Sequence, residues 1–167
     1  MIIAFFAAVL IMTAVDQLTK LAAASSLTQG VPVCLIRAGD TEILTFSLFH
    51  NSGAAFSSFE GRTIMLTGVT VIFLGVIVFY IIKNKPESKF LVACLSMIAG
   101  GGAGNLIDRI RLSYVVDFIH LWPFSFIFNA ADVFVVFGTI LLFVYFIFID
   151  KGDTKENQKK TAVDENE

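Results

Sequence analysis

Residues 62–108 read RTIMLTGVTVIFLGVIVFYIIKNKPESKFLVACLSMIAGGGAGNLID. Two apolar stretches, 62–82 and 90–108, flank the seven residues KNKPESK (83–89), which hold three lysines. A helix needs roughly 20 apolar residues to cross the ~30 Å core of a bilayer. The stretch therefore reads as two membrane spans joined by a short polar turn at one surface. Working outward, residues 1–24 and 128–149 have the same character, so four spans are predicted. The end of the first span, LAAASS, looks like a small-residue cleavage site. The segment lacks a basic leader and carries Asp16 and Lys20, so it is read as a retained helix.

Composition supports this class. The 167 residues are 56% hydrophobic with 18 Phe, and 16% are charged, where a soluble domain carries about a quarter. Ten of the charged residues lie in 150–167, leaving the body poorer still. The expected organisation is one integral-membrane domain over 1–149 and a polar, disordered, cytoplasmic tail over 150–167. No basic stripe is present, which argues against nucleic-acid binding. Cys34 and Cys94 are too few for a disulfide framework. His50 and His120 are the only histidines, so a Cys/His metal site is not expected.

Orientation follows from the lysines. Apart from Lys20, they occur in 83–89 and at Lys151, Lys155, Lys159 and Lys160, with none between Leu21 and Ile82. The positive-inside rule puts both termini and 83–89 in the cytoplasm, and 25–61 and 109–127 outside. In the first external segment, TEILTFSLFHN alternates Leu44, Phe46 and Leu48 with Thr45 and Ser47, the period of a half-buried strand. VPVCLIR reads as a second short strand interrupted by Pro32. A small sheet on the outer bilayer surface is expected.

On this topology the unusual polar residues share one face of the membrane. Asp16 and Lys20 end the first span; HNSGAAFSS closes the first external segment; GNLIDR (104–109) ends the third span. Asp117 and Asp132 stand in VVDFIHLWPFSFIFNAAD (115–132), fifteen positions apart among Val, Ile, Phe and Trp. A proton relay would distribute acids through the depth of the membrane, and an assembly factor would not need both. Each aspartate alone reads as a helix cap. Together they read as a carboxylate pair of the kind aspartic proteases use, sharing a proton because two touching carboxylates cannot both ionise cheaply. Asp16 and Lys20, at i and i+4, make either a local ion pair or a brace for the site. Asp108 beside Arg109 reads as a salt bridge at the helix end, and Asn105 as an amide offered to a peptide backbone. The glycines of MIAGGGAGN lack the preceding strand and the following Lys of a phosphate loop, so they read as helix-packing positions. LVAC (91–94) matches a lipidation pattern but lies inside a span.

The ordered segments DQLTK, NSGAAFS, GNLIDR, VVDFI and FNAAD resemble the lipoprotein signal peptidase family, also called signal peptidase II. The resemblance covers Asp16 to about Gly138. It implies four transmembrane helices with a small extracytoplasmic sheet, in a bacterial cytoplasmic (inner) membrane. It implies an aspartic endopeptidase that cuts a diacylglyceryl-modified prolipoprotein just before its lipidated Cys. Asp117 and Asp132 match the catalytic pair. Asn51, Gly53, Asn105, Arg109, Asn129 and Ala131 match positions that bind substrate or shape the pocket. Asp16, Lys20 and Asp108 match supporting positions. No metal or organic cofactor is implied; membrane lipid is the surrounding partner, and a monomer is expected. Val133 stands where many relatives have Ser, and HLWPFSFI (120–127) is shorter and more apolar than its counterpart in many relatives.

Overall fold

The computed structural model of the chain describes residues 1–53 and 62–149. The tail and most of NSGAAFSS lie outside the described residues. The elements in chain order are α1 (Ile2–Ser26), β1 (Val33–Ala38), β2 (Thr41–Asn51), α2 (Arg62–Asn84), α3 (Lys89–Leu112), β3 (Val115–Leu121), β4 (Ile127–Phe128) and α4 (Ala130–Val144). A π-helical turn, Tyr145–Ile149, continues α4.

Four helices are long and apolar enough to cross a membrane, as the sequence predicts. They are not equivalent. In α3, 56% of the apolar window is buried, against 11% in α1, 11% in α2 and 17% in α4. The central helix is therefore α3, with the other three packed around it. Its small residues permit this. A Cβ at Gly101 would run into the Ala131 carbonyl of α4, and one at Gly104 would meet the Asp16 carboxylate of α1. Close backbone approach of this kind is how helices associate in lipid, where no hydrophobic force drives them together. The outward faces carry Ile3, Leu10, Leu18, Ile64, Ile72 and Phe143, all well exposed. In water such a surface would be an aggregation liability; in a bilayer it is the solvated face.

The bundle has two interiors. Phe5, Ile77, Ile81, Leu91, Leu95 and Tyr145 form an apolar cluster toward the 83–89 turn. At the opposite end the buried side chains include Asp16, Lys20, Asn105, Asp108, Asp117 and Asn129. Burying so many polar groups demands internal partners. Among the described residues none of their buried nitrogens or oxygens lacks one.

A four-stranded antiparallel sheet, ordered β1-β2-β3-β4, sits at this polar end. TEILTFSLFHN is β2, and β1 begins at Val33, just past Pro32, which cannot donate to a ladder. VVDFIHL forms β3, which sequence alternation does not reveal. Val115, Val116, Asp117 and Phe118 are all buried, so no in–out period is written into the segment. The short connection 120–127 completes β3 and turns into β4, with Trp122, Phe124 and Phe126 exposed on the turn.

Candidate active site

Three local features bring Asp117 and Asp132 to one place. The first is the end of α3. Ser113 adopts the left-handed conformation (φ 66°, ψ 7°), with its N–H donated to the Arg109 carbonyl. This helix-ending geometry turns the chain back at once. Val116 N–H then donates to Asp108 Oδ2 at 3.1 Å, seating β3 against α3.

The second is the register of the sheet. Asn51 pairs with Val115, and Asp117 stands two residues further along β3. Diagonal neighbours on one face are within reach of each other, and Asn51 Nδ2 donates to Asp117 Oδ2 at 2.8 Å. Gly53, at φ +83°, folds the chain so that its N–H donates to Asn51 Oδ1 at 2.8 Å. That bond fixes which end of the Asn51 amide faces Asp117.

The third is the start of α4. Asn129 is its N-cap, with Oδ1 accepting from Asp132 N–H at 3.0 Å, while Asp132 Oδ2 accepts from Asn129 N–H at 3.1 Å. This is a capping box. The helix-cap reading of Asp132 thus holds, and the same side chain is one of the candidate pair. Asn129 Nδ2 also donates to Asp117 Oδ1 at 2.6 Å and to Asn105 Oδ1 at 3.1 Å. With no solvent exposure, Asn129 joins the two aspartates: its backbone holds one carboxylate and its amide the other.

Asn105 Nδ2 donates one of its N–H groups to Asp132 Oδ1 at 2.8 Å, and the residue borders the cavity described below. The salt bridge expected between Asp108 and Arg109 does not form. Successive residues on a helix point in different directions, and α3 runs on to Leu112, past both. Asp108 pairs with Lys20 at 2.9 Å instead. Lys20 lies 2.9 Å from Asp16 as well, so the i, i+4 pair is present and is part of a larger cluster. Ala131 is buried, and its N–H donates to Asp16 Oδ1 at 2.9 Å. Gln17, which the sequence reading passed over, donates to Asp108 Oδ1 at 2.9 Å. Its signal was available: Thr13, Asp16, Gln17 and Lys20 recur at the period of one helix face.

Each oxygen of the two aspartates thus accepts an N–H, but their exposures differ. Asp117 is 1% exposed, whereas Asp132 is half-buried. Burial pushes the Asp117 carboxyl up to about 6, with the Asp132 charge adding to the rise and the amides of Asn51 and Asn129 opposing it. Asp132, Asn105 and Arg109 border a cavity of about 270 Å³ whose apolar walls include Phe73 of α2 and Val135 of α4. Arg109 also borders a second space of about 430 Å³ with Thr63, Thr67 and Ser113. Among the described residues Arg109 has no carboxylate within ion-pair distance, so its charge faces the cavities. The cavity thus brings apolar walls up to the Asp132 carboxylate, with Asp117 buried behind it.

Four spanning helices and a carboxylate pair held where a small sheet meets the bundle define a multi-pass membrane protein with a hydrolase-like site. The chain belongs to the signal peptidase II family: the family described as Signal peptidase (SPase) II matches residues 8–148. The lipoprotein signal peptidase of Clostridium tetani is 41% identical over 149 residues, covering 86% of this chain and 90% of its own. That of Enterococcus faecalis is 40% identical, covering 71% and 73%. A solved bacterial membrane enzyme superposes with a TM-score of 0.78 at 27% identity, over 87% of this chain and 94% of that one.

Proposed function

We propose that Asp117 and Asp132 perform an aspartic hydrolysis in a chain whose family removes signal peptides from prolipoproteins. Family membership makes the protein a multi-pass membrane peptidase acting on prolipoprotein signal peptides. The observation that carries the finer reading is Asn129, which holds one aspartate through its backbone and the other through its amide.

The pair works with one shared proton. Asp117, with its carboxyl pushed up by burial, holds the proton and donates it toward the scissile carbonyl oxygen. Asp132, half-buried at the cavity, takes a proton from water as the water oxygen bonds to the carbonyl carbon. The tetrahedral adduct collapses as its carbon–nitrogen bond breaks: Asp132 passes the proton taken from water to the departing amine of the Cys, and the adduct's hydroxyl returns its proton to Asp117. Arg109 and the backbone near Gly53 contact the peptide. The apolar cavity between α2 and α4 receives the diacylglyceryl chains of the modified Cys, so that remote lipid contacts orient the bond for attack. The site faces outward, both termini face the cytoplasm, and a single chain supplies every residue named, consistent with a working monomer.

The test is to incubate the purified protein with a diacylglyceryl-modified precursor and, separately, with the same precursor carrying a Cys→Ser change that blocks modification. Release of the signal peptide from the first, with little or none from the second, is expected. Equal rates on both would overturn the lipid-directed reading.

A further inference from the structure

The polar stripe of α1 touches the backbone beside Asp132 directly and reaches that beside Asp117 through Asp108 of α3. Asp16 Oδ1 accepts the N–H of Ala131, the residue immediately before Asp132, at 2.9 Å. Asp108 Oδ2 accepts the N–H of Val116, the residue immediately before Asp117, at 3.1 Å. A second pair of carboxylates therefore mirrors the first, each holding the amide one step upstream of a reacting group. This second pair is tied together from α1. Lys20 Nζ lies 2.9 Å from each carboxylate. Gln17 Nε2 donates to Asp108 Oδ1 at 2.9 Å and lies 3.2 Å from both Asp16 Oδ2 and the Gly104 carbonyl.

We propose that Gln17 and Lys20 are positioning residues for the hydrolysis: by joining Asp16 to Asp108 they set the spacing between β3 and the start of α4, and so between Asp117 and Asp132. Lys20 also sets direction. An ammonium has only donors, so Asn105 presents Oδ1 to it at 2.8 Å. That leaves Asn105 Nδ2 for Asp132, where it donates. Reacting groups must be held to within about 0.5 Å of their productive geometry, and a displacement of about 1 Å costs on the order of a hundredfold in rate. The inference rests on the aspartic reading above.

Lys20→Met would leave two buried carboxylates facing each other and is expected to cost the fold itself. Gln17→Met is the gentler probe: near in shape, it keeps every charge and deletes only the amide. Its partner is Thr13→Val, which removes a hydrogen bond of the same stripe, Thr13 Oγ1 to the Gly100 carbonyl at 3.1 Å, without touching either carboxylate. Both variants are assayed on the diacylglyceryl-modified precursor in detergent, with thermal melts to measure the folded fraction. Gln17→Met is expected to lower kcat about tenfold or more with KM within about twofold, while Thr13→Val keeps kcat within about twofold. An unchanged kcat for Gln17→Met, or an equal fall in both variants, would reduce the stripe to helix packing and overturn the proposal. Failure of the unsubstituted protein to cleave would instead remove the functional reading, and this one with it.

Discussion

Asp117 shows how much one side chain can be asked to carry. Its carboxylate lies in a strand whose neighbours are Val116 and Phe118, and its two oxygens accept from Asn51 and Asn129. Burial wins over those amides and pushes the group up to about 6, whereas an unfolded Asp titrates near 3.9. Between these values the folded chain keeps a proton that the unfolded chain releases. Stability from this group is therefore fully present below about pH 4, falls as pH rises through about 6, and is flat above. Asp117→Asn should lack that slope, so the difference between the two proteins should change by at most about 3 kcal/mol across the window. Thermal melts in detergent from about pH 4 to about pH 8 would check it, and parallel profiles would refute it. Both Asp117 and Asp132 were legible in the sequence because an acid among Val, Ile and Phe is costly to place. Gln17 was legible only as a member of the helix face of Thr13, Asp16 and Lys20, because a neutral amide near the end of a span raises no such alarm by itself. Its meaning comes from where Asp108 lies in space.

Among the elements, β2 and β3 differ in how openly they are written. In β2, Leu44, Phe46 and Leu48 alternate with polar residues, which is enough to show a strand, although the burial is less regular: Leu48 and Thr45 are buried while Leu44 and Phe46 are half-buried. In β3, buried residues follow one another from Val115 to Phe118, and a strand covered on both faces has no period to read. The helices are legible for a different reason, since length and apolarity alone suffice in lipid. Their packing was partly legible too. The glycines of α3 were expected to be contact points, and the structure says against what: Gly101 meets the first turn of α4, where Asp132 stands. Gly101→Ala would set a Cβ against the Ala131 backbone carbonyl, which has no flexible end to move. The outcome expected is displacement of α4 and loss of cleavage by about a hundredfold, with a lowered melting temperature. Gly68→Ala on α2, where an added Cβ meets nothing within 4 Å, should leave both unchanged. Equal tolerance of the two substitutions would contradict the packing described.

At the scale of the whole molecule, the polar residues are segregated to one end and the apolar core to the other. That arrangement suits a reaction in which a lipid-bearing substrate stays in the bilayer while its scissile bond reaches water. By the positive-inside rule, the lysine distribution predicts that this end faces outward. A reporter fused after Asp150 is expected in the cytoplasm, and one inserted near Gly39, in the turn between β1 and β2, outside. A C-terminal reporter found outside would invert the site.

The claim on which all of this depends is that Asp117 and Asp132 hydrolyse the bond together. The most direct measurement is signal-peptide release from a diacylglyceryl-modified precursor by Asp117→Asn and by Asp132→Asn, each confirmed to be folded by its melt. Asn is nearly isosteric with Asp but cannot exchange the proton, so each variant should lose at least about a hundredfold in kcat. Near-normal turnover by either folded variant would contradict the account.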